Sequence, residues 1–70
     1  MTRTVHPLIA QLADARRAAR LSQVDIADEI GLNPRSVGQW ERGERTPDLR
    51  YLTAYATVLG MELTLTEVPR

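Results

Sequence analysis

The sequence predicts an all-α fold: a compact four-helix domain that contains a helix-turn-helix and ends in one short β-strand. Three features of the chain predict it. Apolar residues recur at helical spacing over most of residues 7–59. The predicted helices begin at capping residues or proline and stop near glycine. From residue 61 to residue 66 apolar and polar residues alternate, as in a half-buried strand. With 70 residues, the chain 1–70 is predicted to be one domain.

The stretch from residue 23 to residue 42 carries the signals of two short helices joined by a tight turn. Ser22 is placed to cap the first of them, and Asp25, three residues later, completes a capping-box pattern. Asn33 is placed to cap the second, with Pro34 at its first helical position. Gly31 lies between them and tolerates the left-handed conformation that often ends a helix. The stretch therefore predicts a helix-turn-helix hairpin.

The side chains of this hairpin divide into two faces. Apolar residues at helical spacing should pack inward, and Ala27 should keep the two helices close: the inward set is Ile26, Ala27, Ile30, Val37 and Trp40. The second hairpin helix also carries a stripe of hydrogen-bonding side chains: Arg35, Ser36, Gln39 and Arg42. Arg and Gln bind bidentately to guanine and adenine edges in the DNA major groove, which an α-helix fits. An ordinary solvated helix face is the alternative interpretation of the stripe.

The hairpin resembles the Cro/C1-type (XRE) helix-turn-helix family of bacterial and phage regulators. The resemblance depends on Ala27, Gly31, Val37 and the run QWERGERTP at residues 39–47, and it covers about residues 8–60. It implies a lambda-repressor-like domain that binds double-stranded DNA, usually as a homodimer. Pro34 and Glu44 depart from the family pattern, which often has polar and basic residues there.

The resemblance also assigns roles to individual side chains. It implies base reading by Arg35, Ser36 and Gln39, and a phosphate contact by Gln23. An ion pair between Arg16 and Glu41 should tie the first helix to the second hairpin helix; two solvated side chains are the alternative. Polar residues at the ends of the hairpin helices complete the predicted phosphate-contact set, which is Ser22, Gln23, Asn33, Arg42 and Arg45.

Composition excludes several other classes of site. The chain has no cysteine and one histidine, His6, so we expect no metal site and no cofactor. No nucleophile–base pair or phosphate-binding glycine loop is evident, so we expect no catalytic residues and no enzyme activity. There is no candidate membrane segment or signal peptide, which predicts a cytoplasmic protein of bacterial or phage origin. The net charge of zero predicts modest non-specific DNA affinity.

The two outer helices complete the predicted core. The first should run from His6–Pro7 to about residue 19 or 20 and bury Leu8, Leu12, Ala15 and Ala19. The last should start with Thr46 as cap and Pro47 at its first position, and should end near Leu59, before Gly60. Its inward residues are predicted to be Leu49, Leu52, Ala56 and Leu59.

The predicted strand needs a partner for its backbone groups. We expect residues 61–66 to pair antiparallel with the same segment of a second copy. The dimer interface would consist of strand and last-helix residues: Tyr51, Tyr55, Val58, Met61, Leu63 and Leu65. In the alternative, the segment folds back on its own chain.

The sequence favours a DNA-binding transcriptional regulator, specifically a repressor that binds a palindromic operator as a homodimer. The passage VLGMELTL at residues 58–65 resembles HipB-type antitoxins, so an antitoxin that binds a toxin protein is the second hypothesis. A structural interaction domain whose recognition helix no longer binds DNA is the third.

Overall fold

The computed structural model describes residues 4–69, and in this range it has four helices. They are α1 (Pro7–Ala18), α2 (Gln23–Ile30), α3 (Pro34–Glu41) and α4 (Leu49–Val58). The predicted all-helical four-helix domain is therefore confirmed. None of these helices is long and apolar enough to cross a membrane.

The local signals of the hairpin act as predicted. The Ser22 hydroxyl accepts a hydrogen bond from the Asp25 N–H (3.0 Å), and the Asp25 carboxylate accepts one from the Ser22 N–H (2.8 Å). Gly31 ends α2 with φ of 75°. The Asn33 side chain accepts a hydrogen bond from the Arg35 N–H (2.9 Å), with Pro34 at the first position of α3. These contacts satisfy backbone donors that would otherwise lack partners at the helix starts.

The core lies where all four helices meet. Ile26, Ala27 and Val37 are each 0% exposed, and Trp40 is 5% exposed, which confirms the inward face predicted for the hairpin. The full buried apolar cluster is Ile9, Leu12, Ile26, Ala27, Val37, Trp40, Tyr55 and Ala56. This packing fixes α3 against the other helices.

The inward face of α1 differs from the predicted one. Ile9, Leu12, Ala13 and Arg16 are buried, whereas Leu8 is 38% exposed and Ala19 is exposed outside the helix. The observed stripe also has helical spacing, and it turns Arg16 toward the C-terminal end of α3, where it forms the ion pair described below. The helix ends at Ala18, and in the turn that follows Arg20 is left-handed, with φ of 59°.

The start and the inward face of α4 also differ from the prediction. Asp48, not Thr46, caps the helix, and its carboxylate accepts a hydrogen bond from the Tyr51 N–H (3.0 Å). Leu49 is 72% exposed, whereas Tyr55 is 1% exposed. The expectation that Tyr55 faces a second copy is wrong, because α4 is turned to bring this side chain into the core of its own chain.

The predicted β-strand is not formed in the part of the chain that the structure describes. Residues 61–69 have no regular secondary structure. Met61 and Leu63 are half-buried against the chain's own core, while Leu65 is fully exposed. An isolated extended segment has no neighbouring strand to accept and donate its ladder hydrogen bonds, so one chain alone does not provide the conditions for a strand.

Candidate nucleic-acid interface

One face of α3 is buried and the other carries the side chains predicted to read bases. Val37 and Trp40 face the core. Arg35 is exposed, and Ser36 and Gln39 are partly exposed. Their spacing along the helix places these three side chains on one stripe. The structure thus brings the predicted base-reading set together on a supported helix, which is the geometry that a major-groove contact requires.

The predicted phosphate-contact residues lie at both ends of the hairpin helices. The side-chain oxygens of Ser22 and Asn33 act as helix caps. Each side chain retains hydrogens to donate, the Ser22 hydroxyl and the Asn33 amide. Arg45 follows α3, is exposed, and has no ion pair within residues 4–69. Contacts of these residues with DNA remain a prediction.

Glu41, the last residue of α3, is the centre of a buried polar network. Its side chain is 3% exposed. Arg16 donates to both carboxylate oxygens, from Nε (2.9 Å) and from Nη2 (2.8 Å). The amide of Gln23 donates to Oε1 (3.1 Å), and the Tyr55 hydroxyl donates to Oε2 (2.6 Å). Residues of α1, α2 and α4 therefore all hold the C-terminal end of α3.

The charges in this network stabilise each other. Burial, the largest influence, raises the pKa of Glu41, but hydrogen bonds from Arg16, Tyr55 and Gln23 together outweigh it and leave the pKa below its ordinary value. The hydrogen bond to Glu41 raises the pKa of Arg16. Burial and the neighbouring Glu41 carboxylate raise the pKa of Tyr55, which stays protonated and acts as a donor. Arg16 also donates to the Leu21 carbonyl (2.9 Å).

Sequence reasoning found the Arg16–Glu41 pair but missed Tyr55 as a member of the network. A buried tyrosine usually needs a partner for its hydroxyl, but the sequence predicts Tyr55 at the dimer interface, so it gives no signal for this contact. Gln23 was predicted only as a phosphate contact, and the structure adds its hydrogen bond to Glu41.

Arg42, directly after α3, forms an exposed ion pair with Glu44 (2.9 Å). Its guanidinium also lies over Gly38, close to the Gln23 side chain. A Cβ atom placed on Gly38 would be 3.0 Å from Arg42 Nη1 and 3.2 Å from Gln23 Oε1. Two predicted phosphate contacts, one from α2 and one from the residue after α3, therefore converge on the one glycine inside α3.

The described residues contain no group of three or more side chains suited to holding a metal ion. The polar chemistry of the interface comes instead from amides, hydroxyls and guanidinium groups. These are donors for phosphate oxygens and for base edges.

Comparison with known proteins agrees with this geometry. The family model for the helix-turn-helix matches residues 12–65. No curated protein matched the chain. Among solved structures, the restriction-modification controller protein C.AhdI from Aeromonas hydrophila is 36% identical, with a TM-score of 0.73, covering 79% of this chain and 83% of that one. The chain belongs to the Cro/C1-type helix-turn-helix family of DNA-binding transcriptional regulators.

Proposed function

We propose that this protein is a repressor that binds a palindromic operator in double-stranded DNA as a homodimer. The observation that carries the proposal is the two-sided character of α3. Val37 and Trp40 fix the helix in the core, while Arg35, Ser36 and Gln39 occupy its accessible side. A rigidly held helix with bidentate donors on its outer face is suited to reading the major groove.

In this proposal Arg35 and Gln39 carry most of the base discrimination. The Arg35 guanidinium would pair with a guanine edge, and the Gln39 amide with an adenine edge. Ser36 has a short hydroxyl that bonds to donors or acceptors, so it would add less selectivity. Each bidentate contact would be worth about 1–3 kcal/mol of discrimination against a wrong base pair.

Phosphate contacts would fix the register of α3 in the groove. Ser22 and Gln23 start α2, and Asn33 precedes α3, while Arg42 and Arg45 follow it. These donors would bind the DNA backbone on both sides of the groove without selecting a sequence.

The homodimer is proposed from the C-terminal segment, defined here as α4 with residues 59–69. Leu65 is fully exposed and Val68 is 76% exposed, although both are apolar. Residues 62–69 have no regular secondary structure and make no backbone–backbone hydrogen bonds within the described chain. Pairing with the same segment of a second copy would cover these side chains and satisfy the backbone. The interface would include Tyr51, Val58, Met61, Leu63 and Leu65.

A two-fold dimer of this kind would place its two α3 helices about 34 Å apart, one turn of DNA. The operator would then contain two inverted half-sites. Since the solved relative is a restriction-modification controller protein, we propose that this chain likewise acts as the controller protein of a restriction-modification system. A toxin partner remains an untested prediction, which co-purification with a second polypeptide would support.

The test is selection of binding sites from random duplex DNA, followed by titration of the selected site and of random duplex. Arg35→Ala and Gln39→Ala should each lower the preference for the selected site by about 1–3 kcal/mol. Their helical circular dichroism should match that of the wild type. Arg50→Ala is the matched control for Arg35→Ala. It removes a positive charge from α4 instead of α3 and should leave the preference for the selected site unchanged.

Two outcomes would count against the proposal. Selection that enriches no sequence would reject sequence-specific binding altogether. If the Arg35→Ala and Gln39→Ala variants both prefer the selected site as strongly as the wild-type protein does, the base-reading assignment is rejected. DNA binding itself would still stand.

A further inference from the structure

Gly38 occupies an unexpected position for a glycine. It lies in the middle of α3 and is buried. Glycine in a helix interior is less stable than alanine, because it loses more backbone freedom on folding. The backbone of Gly38 has no positive φ that would require glycine. Some other requirement must therefore explain the absence of a side chain here.

The requirement is visible in what surrounds the missing Cβ. The nearest atoms to that position are Arg42 Nη1 at 3.0 Å and Gln23 Oε1 at 3.2 Å. Both distances are shorter than ordinary van der Waals contact. A side chain on Gly38 would therefore have to push away the ends of two polar side chains, one from α2 and one from the residue after α3.

These two side chains are held in place with donors left over. One amide hydrogen of Gln23 goes to Glu41, which the Arg16 ion pair holds in turn. The second amide hydrogen has no partner within residues 4–69, and Arg42 uses only Nη2 for Glu44. Arg42 is more than half exposed. The pair thus offers unused N–H groups beside the exposed stripe of α3.

We propose that Gly38 is a positioning residue for DNA binding. Its bare backbone lets Gln23 and Arg42 lie together over α3 as a two-residue clamp on a DNA phosphate. The proposal rests on the proposed function and deepens it, because it adds a residue that touches no DNA itself. Glu41 orients the Gln23 amide, Gly38 leaves room for both side chains, and the Arg42 guanidinium supplies the positive charge.

The experiment compares Gly38→Leu and Gly38→Ala with the wild-type protein. Leucine fills the space that the clamp occupies, so affinity should fall about tenfold, and equally for the selected operator and random duplex. The slope of log affinity against log salt should become shallower by about one unit, since the Arg42 contact is lost. Alanine should cause a smaller loss of the same kind. The Tm of the Gly38→Ala variant should equal or exceed that of the wild-type protein, because alanine is more stable than glycine inside a helix.

Two controls separate positioning from general damage. Gly31 has no atom within 4 Å of its missing Cβ, but its φ is +75°. Gly31→Ala should therefore lower Tm by about 4–8 °C while leaving affinity and salt slope unchanged below the transition. In a Gln23→Ala/Arg42→Ala background, Gly38→Leu should weaken binding no further, because the clamp is already absent.

Several results would overturn the inference. Unchanged affinity in both Gly38 variants would do so, as would a loss confined to the selected operator, which would indicate base reading. A further tenfold loss in the Gln23→Ala/Arg42→Ala background would show an effect through another route. Failure of the proposed function is distinguishable, because the wild-type protein itself would then bind no selected site.

Discussion

The hairpin and the C-terminal segment bury their apolar side chains to very different degrees. In the hairpin (α2, α3 and the turn between them), Ile26, Ala27 and Val37 are completely buried. In the C-terminal segment, Tyr55 and Ala56 of α4 are buried in the core, but Leu49 is 72% exposed and Leu65 is fully exposed. The hairpin thus packs its inward face within a single chain, although Val24 on the outside of α2 is 49% exposed. The C-terminal segment exposes apolar surface that burial against a partner would stabilise.

Polar groups show the same contrast. In the hairpin, helix starts are capped, and the Glu41 carboxylate accepts four hydrogen bonds. In the C-terminal segment after Met61, the backbone makes no backbone–backbone hydrogen bonds within the described residues. Tyr55 connects the two regions, because it lies on α4 and donates to the last residue of α3. Three variants sharpen this contrast.

The largest effect is expected from Glu41→Ala. This change leaves the buried Arg16 guanidinium without its counter-charge, and breaking such a pair typically costs about 3–5 kcal/mol. The variant should be mostly unfolded, as measured by urea denaturation with circular dichroism. Asp14→Ala is the matched control: it breaks the exposed Arg17–Asp14 pair and should cost less than about 1 kcal/mol. Equal losses in the two variants would contradict the central role of Glu41.

The next effect concerns the proposed dimer. Leu65 is fully exposed in one chain, so Leu65→Asp should leave the stability of a single chain nearly unchanged. In the dimer it should remove about 1.5–3 kcal/mol of apolar burial from each copy. Sedimentation should therefore show monomers at concentrations where the wild-type protein is dimeric. Thr66→Asp adds the same charge at the next, outward-facing position and should preserve the dimer. A dimer that withstands Leu65→Asp would place the interface elsewhere.

The smallest effect tests the connection between the two regions. Tyr55→Phe removes one of the four hydrogen bonds to Glu41, at a cost of about 1.5 kcal/mol. Because the folded pKa of Glu41 is lowered, its contribution is present above the unfolded pKa and is lost as the pH falls through the folded pKa. Without the Tyr55 bond that folded pKa should rise, so acid unfolding should begin at a higher pH.

Thermal unfolding between pH 7 and pH 3 measures this shift, within the range where carboxyl groups titrate. Tyr51→Phe is the control, since Tyr51 makes no hydrogen bond to Glu41 and should leave the acid transition unchanged. Identical acid transitions in Tyr55→Phe and wild type would show that the Tyr55 hydrogen bond contributes nothing to the charge state of Glu41.

Much of the hairpin was predictable because its determinants are close together in the chain. The capping contacts of Ser22 and Asn33 reach only two or three residues ahead, and Gly31 acts on its own backbone. The inward positions Val37 and Trp40 follow from helical spacing alone. Such short-range preferences are properties of the local sequence, and they were sufficient to predict the stripe of polar side chains on α3.

The remaining features depended on how the helices pack. Both Leu8 and Ile9 belong to acceptable apolar stripes of α1, and the packing that buries Ile9 is the one that also brings Arg16 to Glu41. Tyr55 is predicted at the dimer interface because it lies off the stripe of α4 that is predicted to face inward. Its hydroxyl partner, Glu41, lies 14 residues away in the chain. The convergence of Gln23 and Arg42 over Gly38 likewise joins separate elements. Contacts between distant residues are set by helix rotation and packing, which local spacing does not encode.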